Sequence, residues 1–231
     1  MLALSNVNLF YGQSHTLWDI DLTVGQGRCM CVMGRNGVGK TTLLKVIMGV
    51  LKSHSGTIRI GGDDFTRRHT EDRARNGIGY VPQGRMIFAN LSVEENLRIA
   101  LYARTGKSRQ IPGRIYELFP VLKEMRQRRG GDLSGGQQQQ LAIGRALCLE
   151  PKLLILDEPT EGIQPNIVQE IGDIITRLNT ESGLTVLLVE QKLGFARKIA
   201  SEFCIMEKGQ IVASGDMSGL DDKLIHQYLT V

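Results

Sequence analysis

Long hydrophobic runs are missing from this sequence of 231 residues. Its longest apolar stretches, such as Leu153–Leu156 and Val186–Val189, have the length of a buried strand, whereas a helix that crosses a membrane needs roughly 20 apolar residues. The first residues, from Met1 to Asn6, contain no basic segment followed by an apolar one. We therefore expect neither a membrane-spanning helix nor a secretory signal.

A large charge of one sign is missing as well. The 28 Lys and Arg residues and the 24 Asp and Glu residues give a net charge of only +4. So small an excess does not indicate nucleic-acid binding unless the basic residues form a patch. A short basic run (Arg126, Arg128 and Arg129) lacks the interleaved aromatic residues that stack on bases, so we expect no nucleic-acid partner.

Cysteine and proline are scarce, with four and six residues, whereas glycine is abundant, with 27. The cysteines do not have metal-ligand spacing, and their usage fits a reducing cytosol. Cys29 and Cys31 lie two positions apart in an apolar strand, so we expect both on one buried face. The abundance of glycine indicates tight backbone turns near a ligand.

Short apolar strands alternate with helical patterns over much of the chain, which predicts an α/β fold with a mostly parallel sheet. Between residues 84 and 150 apolar positions recur at helical spacing, and Ser92 and Glu95 form a capping box that predicts a helix start. We interpret 1–231 as a single domain, with a core of 1–83 and 151–231 and a helical insertion at 84–150. The predicted strands are Leu2–Phe10, Leu17–Val24, Arg28–Met33, Thr57–Ile60, Ile78–Val81, Lys152–Leu156, Thr185–Val189, Phe203–Met206 and Ile211–Ala213. Predicted helices cover Thr41–Gly49, a segment after Ser92, Ile115–Met125, Leu141–Leu149, Asn166–Leu178, Leu193–Ala200 and Leu220–Leu229.

The segment from Gly34 to Thr41 matches the phosphate-binding pattern G-x-x-x-x-G-K-[ST]. It follows an apolar strand and opens a helix, which is the context that the chemistry needs. Glycines let successive backbone N–H groups turn toward an anion, and the helix N-terminus adds partial positive charge. We expect the lysine to bind the β- and γ-phosphates, the first threonine to bind Mg²⁺, and the next threonine to contact phosphate. The predicted ATP-binding residues of this segment are Gly34, Asn36, Gly37, Gly39, Lys40, Thr41 and Thr42.

Two acids, Asp157 and Glu158, follow a buried strand. Ligands of open α/β sheets bind at the carboxyl ends of the strands, where these side chains would lie. We expect Asp157 to hold Mg²⁺ through water, because Mg²⁺ keeps much of its hydration shell. Glu158 would polarise the water that attacks the γ-phosphate.

Further segments resemble the ATP-binding-cassette (ABC) ATPases over nearly the whole chain. Leu133–Gln137, which reads Leu-Ser-Gly-Gly-Gln, resembles the family's signature motif, Gln83 resembles its glutamine loop, and Tyr11 resembles the aromatic residue that stacks on adenine. The resemblance implies a P-loop NTPase core with an N-terminal antiparallel β subdomain and an inserted helical subdomain. It also implies that Gln83 joins Thr41 and Asp157 at Mg²⁺. In this family each ATP lies between two subunits, so the signature would contact ATP across a dimer through Ser134, Gly135, Gly136 and Gln137.

A closer resemblance is to the cassettes of branched-chain amino acid and urea importers. It is carried by the segments 81–85, 93–97, 157–165 and 189–191, and within that group 11–18 and 34–39 look most like the urea-type subunit. This resemblance implies an ATPase subunit at the cytoplasmic face of the inner membrane, docked peripherally on membrane-spanning permease subunits. A periplasmic binding protein would supply the solute. The second cassette is expected to be a different chain, which makes a heterodimer.

Two positions differ from the common cassette. Gln191 replaces the switch histidine, and glutamine donates a hydrogen bond but stays neutral. Gln164 replaces the aspartate of the dimer-contacting loop. We expect Lys40 and Glu158 to support hydrolysis and Gln191 to position the γ-phosphate. Two alternatives stay open, namely a regulatory cassette with a weak or inactive site, and a soluble cassette ATPase that acts on DNA or ribosomes.

The segment Gly84–Leu91 contains the apolar residues Met86, Ile87 and Phe88 beside Arg85. In the family that this chain resembles, contacts with membrane-spanning partners lie along this side of the helical insertion. Exposed apolar residues on a loop favour a partner that covers them. We predict a permease contact here, and burial in the chain's own core is the alternative.

Overall fold

The computed structural model describes residues 1–104 and 110–230, which form two sheets flanked by helices. The strands are β1 (Leu2–Tyr11), β2 (Ser14–Val24), β3 (Cys29–Met33), β4 (Ser55–Ile60), β5 (Asp63–Asp64), β6 (Ile78–Val81), β7 (Leu153–Asp157), β8 (Thr185–Val189), β9 (Glu202–Glu207) and β10 (Gln210–Asp216). The α-helices are α1 (Lys40–Ile47), α2 (Thr70–Arg75), α3 (Val93–Leu101), α4 (Gly113–Leu118), α5 (Pro120–Glu124), α6 (Gly135–Leu147), α7 (Pro165–Ser182), α8 (Leu193–Ile199) and α9 (Asp222–Tyr228).

The larger sheet has the strand order β10-β9-β3-β8-β7-β6. The strands from β9 to β6 run parallel, and β10 pairs antiparallel with β9. Every residue of β3, β7 and β8 is buried, as expected for parallel strands covered on both faces. The predicted α/β fold with a mostly parallel sheet is confirmed.

The smaller sheet has the order β2-β1-β4-β5 and is antiparallel, which confirms the predicted antiparallel subdomain. Its buried residues share a hydrophobic cluster with α1 and with one face of the larger sheet. Leu43, Leu44 and Ile47 of α1 are fully buried in this cluster. Because α1 is fixed between the two sheets, the loop that precedes it is fixed as well.

Cys29 and Cys31 are fully buried and belong together to the hydrophobic cluster on the opposite face of the larger sheet. The prediction that they share one buried face is confirmed. Burial, with a smaller contribution from Glu202, raises the pKa of the Cys29 thiol to about 12. A thiol so rarely ionised is a packing residue rather than a nucleophile.

The helical insertion differs in detail from the prediction. The continuous helix expected over Ile115–Met125 is two short helices, α4 and α5, because Pro120 disfavours helical geometry at Phe119. The helix expected at Leu141–Leu149 begins earlier, at Gly135, where Ser134 caps it. The capping box of Ser92 and Glu95 is confirmed at the start of α3. Part of the insertion, 105–109, lies outside the described residues.

The short elements α2 and β5 are absent from the sequence-based prediction. Strand β5 has only two residues, and α2 has charged residues without an apolar stripe. Within the described ranges, none of the helices is long and apolar enough to cross a membrane.

Candidate active site

The phosphate-binding pattern forms a loop between β3 and α1, where three glycines adopt backbone angles that other residues rarely adopt. Gly34, Gly37 and Gly39 have φ values of 143°, 80° and 107°. A Cβ at Gly34 would collide with the carbonyl oxygen of Met206. The sequence therefore needs glycine here both for the turn and for the close approach of β9.

Lys40 begins α1 and is almost fully buried, with 5% of its surface exposed. Its ammonium donates to the carbonyl oxygens of Gly34 (2.7 Å) and Arg35 (2.9 Å), so it lies across the loop. Burial lowers the pKa of Lys40, and the nearby carboxylates of Glu158 and Asp157 oppose that shift. The loop thus holds a cation where a phosphate would need one.

Asp157 ends β7 and is 1% exposed. Its Oδ1 accepts a hydrogen bond of 3.4 Å from the Thr41 hydroxyl, whereas its buried Oδ2 has no partner among the described residues. Burial raises the pKa of Asp157 to about 6, with a smaller contribution from Glu158, and the Thr41 hydroxyl and Lys40 oppose the shift. A buried carboxylate oxygen without a partner is costly unless a cation or water pairs with it.

This arrangement fits Mg²⁺. A hydroxyl and an unpaired carboxylate oxygen stand side by side, and both are hard oxygen ligands. Among the described residues there is no cluster of three His, Cys, Asp or Glu side chains that could hold a metal. A site with only a few protein ligands is consistent with Mg²⁺, because this ion keeps several of its waters and is also bound by phosphate oxygens of the nucleotide.

Glu158 lies beside Lys40 at the carboxyl end of β7. Its backbone has a φ of 47°, in the left-handed region, and its N–H donates to Val189 of the neighbouring strand. One carboxylate oxygen accepts a hydrogen bond of 2.6 Å from Gln191 and lies 3.9 Å from the Lys40 ammonium. The other oxygen accepts from Gln83 at 3.3 Å. The structure therefore brings Lys40, Gln83, Glu158 and Gln191 together.

Two of these glutamines have further contacts. The Gln191 amide also donates to Asn36 of the phosphate loop at 2.8 Å, so it bridges that loop and Glu158. The Gln83 amide also donates to Glu161 at 3.0 Å. No hydrogen bond joins Gln83 to Thr41 or Asp157, so the structure places it with the acids that follow β7 rather than with the proposed Mg²⁺ pair.

Tyr11 ends β1, and 47% of its surface is exposed. Sequence reasoning missed the aromatic stack beside it, in which the His15 ring lies between those of Phe10 and Trp18 with centroid distances of 4.0 and 3.6 Å. This hairpin is tied to the phosphate loop through Gly209, whose carbonyl accepts from Trp18 and whose N–H donates to Val38. An exposed aromatic surface therefore stands near the loop.

The signature segment lies apart from this cluster. Ser134 and Gln137 form a reciprocal capping box at the start of α6, while the Arg85 guanidinium lies beside Gly135, and Ile167 beside Gly136. No hydrogen bond joins any of these signature residues to the phosphate loop. Thr42 lies in the first turn of α1 without a side-chain hydrogen bond among the described residues.

Glu190 is a site residue that the sequence analysis missed. It follows β8, is 3% exposed, and accepts hydrogen bonds from the Thr160 hydroxyl (2.7 Å) and the backbone N–H groups of Gln191 (2.8 Å) and Lys192 (2.9 Å). An acid at the carboxyl end of a buried apolar run was the available signal, since Asp157 stands in the same position at the end of β7.

A cavity of about 520 Å³ lies between the phosphate loop, Gln191 and the end of α9. A larger cavity, of about 660 Å³, lies at the opposite edge of the sheet, lined by residues that include Gln26, Lys152 and Gly183. Those residues precede strands, whereas ligands of open α/β sheets bind where strands end. The smaller cavity borders the candidate site through Gly34, Asn36 and Gln191, whereas Lys40, Asp157 and Glu158 do not line it.

The chain is similar to several known proteins. Residues 17–161, more than half of the chain, match the family described as ABC transporter. The chain is 42% identical over 213 residues to the "High-affinity branched-chain amino acid transport ATP-binding protein BraG" of Pseudomonas aeruginosa, which covers 92% of this chain and 91% of the relative. It is 37% identical over 223 residues to the "Probable branched-chain amino acid transport ATP-binding protein LivF" of Archaeoglobus fulgidus, covering 95% and 94%.

A solved structure is also similar. It is described as the dimeric structure of a post-hydrolysis state of the ATP-binding cassette MJ0796 bound to ADP and Pi. The TM-score is 0.85 at 26% identity, and the match covers 95% of this chain and 100% of that chain.

Proposed function

The chain belongs to the ABC transporter family, and from that premise we propose that it is the ATP-hydrolysing subunit of an importer for amino acids with branched side chains. Its activity is that of an ATPase coupled to transport. The observation that carries the proposal is the position of the Glu158 carboxylate, between Lys40, Gln83 and Gln191 at the carboxyl end of β7.

Each residue of the cluster has a role in the proposed reaction. The phosphate loop and Lys40 bind the β- and γ-phosphates, and Glu158 orients and polarises the attacking water. Thr41 and Asp157 would hold Mg²⁺, and the bound ion would neutralise developing charge on the phosphates. Gln83, the further expected ligand, would have to turn away from Glu158 and Glu161 to join them. Gln191 donates its two amide hydrogens to Asn36 and Glu158, and it would exchange one of these bonds for a hydrogen bond to the γ-phosphate. Tyr11 stacks on the adenine.

The ATP site is completed by a second cassette, whose Ser134, Gly135, Gly136 and Gln137 contact the nucleotide. A helix N-terminus with small residues is suited to an anion. We propose that this second cassette is a different chain and that the pair docks on permease subunits at the cytoplasmic face of the membrane. A periplasmic binding protein delivers the solute, and nucleic acid has no part in the cycle.

The solute class rests on the relatives. Those described above are named for branched-chain amino acids, and nothing in them supports the urea part of the sequence-based prediction. In the assembled complex with its binding protein, we expect leucine and not urea to stimulate ATP hydrolysis. Stimulation by urea alone would reverse this assignment while leaving the ATPase proposal intact.

The Glu158→Gln variant of the assembled complex tests hydrolysis. Loss of a general base costs typically 10²–10⁴-fold, so we expect the ATPase rate to fall by about 100-fold or more while ATP binding is retained. Glu161→Gln is the matched control, because Glu161 also accepts from Gln83 but does not contact Lys40 or Gln191. An unchanged rate in Glu158→Gln would mean that the chain binds ATP as a structural clamp, which is the regulatory alternative.

A further inference from the structure

We propose that Glu190 is a positioning residue that holds Gln191 against Glu158 and thereby sets the rate of ATP hydrolysis. The inference rests on the proposed function, because it assigns Glu190 a role through the residues of that site. Glu190 itself hydrogen-bonds none of the phosphate-loop side chains. Its charge raises the pKa of Lys40 less than the charges of Glu158 and Asp157 do, so its main influence passes through the backbone of Gln191.

The position of Glu190 is fixed by the sheet. Its backbone N–H donates to Val32 of β3 at 3.3 Å, which extends the pairing of β8 and β3 by one step. Its carboxylate is buried, and a buried carboxylate is costly unless it is well hydrogen-bonded. Three donors therefore need to stay in place around it.

Two of those donors belong to the loop that carries Gln191. One oxygen of Glu190 accepts both the Gln191 and the Lys192 backbone N–H groups, at 2.8 and 2.9 Å. Hydrogen bonds to an ionised acceptor are stronger than neutral ones. The backbone from which the Gln191 side chain departs is thus fixed, and its amide reaches Asn36 and Glu158 together.

The third donor ties this loop to the one that carries Glu158. Thr160 lies two residues after Glu158, is 1% exposed, and donates its hydroxyl to the other Glu190 oxygen at 2.7 Å. The Lys192 ammonium donates to the Thr160 carbonyl at 2.9 Å. Thr160 is therefore fastened at two points, and the loops after β7 and β8 keep a fixed separation across the site.

A double-mutant cycle in the assembled complex tests the proposal. We expect Glu190→Ala to lower kcat for ATP about tenfold or more while the KM for ATP changes less than about twofold, because misplaced catalytic groups cost rate rather than binding. Adding Glu190→Ala to Gln191→Ala should cause no further loss, since Glu190 acts through Gln191. Glu190→Gln should recover much of the rate, because its amide has an oxygen for the two N–H groups and an NH₂ group for Thr160.

Additive losses in the double variant, or a raised KM with kcat unchanged, would overturn the proposal. If Glu190→Ala fails to fold, Thr160→Val and Thr160→Ser decide the question in the same cycle. The valine variant should lose rate only when Gln191 is present, and the serine variant should behave as wild type.

If Gln191→Ala has no effect while Glu158→Gln abolishes hydrolysis, the positioning role is wrong and the proposed function stands. If Glu158→Gln has no effect, the proposed function itself is wrong.

Discussion

At the residue scale, burial of the Asp157 carboxylate in the candidate site lowers the stability of the folded protein. Its side chain is buried, one oxygen lacks a partner among the described residues, and its pKa is raised to about 6. A raised pKa means that the folded protein binds this proton more tightly than the unfolded chain does. Ionised Asp157 therefore opposes folding, and a bound cation would offset this cost.

The pH dependence of stability follows from this shift. As the pH rises from about 4 to about 6, the unfolded chain loses the Asp157 proton while the folded protein keeps it, so stability falls. Above that range both states are ionised and the full cost, at most about 3 kcal/mol, applies. We expect Asp157→Asn to melt at a higher temperature than wild type at pH 8 without Mg²⁺. The difference should shrink by about half at pH 5.

The same substitution at the exposed Asp132 is the control, and its effect on the melting temperature should be small at both pH values. An Asp157→Asn variant that is less stable than wild type at pH 8 would show that the Thr41 hydrogen bond outweighs burial. Thermal melts of the purified subunit in a magnesium-free buffer series measure both variants.

At the element scale, a single buried arginine joins α1 to α2. Arg73 is 1% exposed, and its guanidinium donates to the carbonyl oxygens of Val46 (3.1 Å), Ile47, Phe65 (2.7 Å) and Arg68. The first two belong to the last turn of α1, where unpaired carbonyls carry partial negative charge. Arg73 thus stabilises the C-terminal end of α1, the helix that directly follows the phosphate loop.

Arg73→Leu should destabilise the protein by about 2–4 kcal/mol, because it leaves several buried carbonyl oxygens without their donor. Arg75→Leu on the same helix is the matched control, since Arg75 is exposed and the change should stay within about 0.5 kcal/mol. Urea unfolding of the two variants gives the comparison. Equal midpoints would mean that water replaces the guanidinium.

Helices and strands could be predicted where the sequence contains a clear local pattern for them. Apolar runs bounded by turn residues predicted β6 and β8 with the observed bounds, and the capping box predicted the start of α3. The break before Pro120 was readable from the proline alone. By contrast, the only buried residue of α2 is Arg73, and the helix has no apolar stripe from which it could be predicted.

The residues of the candidate site likewise include some that the sequence predicts and some that it does not. Its local motifs located Lys40, Asp157 and Glu158 because each belongs to a short pattern next to a buried strand. The bridge from Gln191 to Asn36 spans 155 positions, and only the strand order of the folded sheet brings the two together. Glu190 has no motif, and its partners become evident only when the loops after β7 and β8 are seen side by side.

At the scale of the whole molecule, the segment from Arg85 to Phe88 connects the active site to the outer surface. Met86 and Phe88 are 67% and 47% exposed, and Ile87 is only partly buried against the core. Arg145 of α6 contacts this segment at two points. Its guanidinium donates to the Met86 carbonyl at 2.8 Å, and its Cζ lies 5.3 Å from the Phe88 ring centroid. Burial of Met86 and Phe88 in the chain's own core is therefore wrong, and their apolar side chains are available to a partner.

Replacing both exposed side chains, in Met86→Ala/Phe88→Ala, should weaken copurification with the permease subunits several-fold, because exposed aromatic and Met side chains are typical anchors of interfaces. ATP binding should stay at the wild-type level, since neither side chain contacts the phosphate loop. Val212→Ala on β10, which removes another exposed apolar side chain, is the control and should copurify as wild type does. Intact copurification of the double variant, with ATP binding also intact, would place the permease contact elsewhere on the chain. Gln83 lies only three residues before Met86 and donates to Glu158, so a partner that moved this segment would also move a side chain bonded to the proposed catalytic carboxylate.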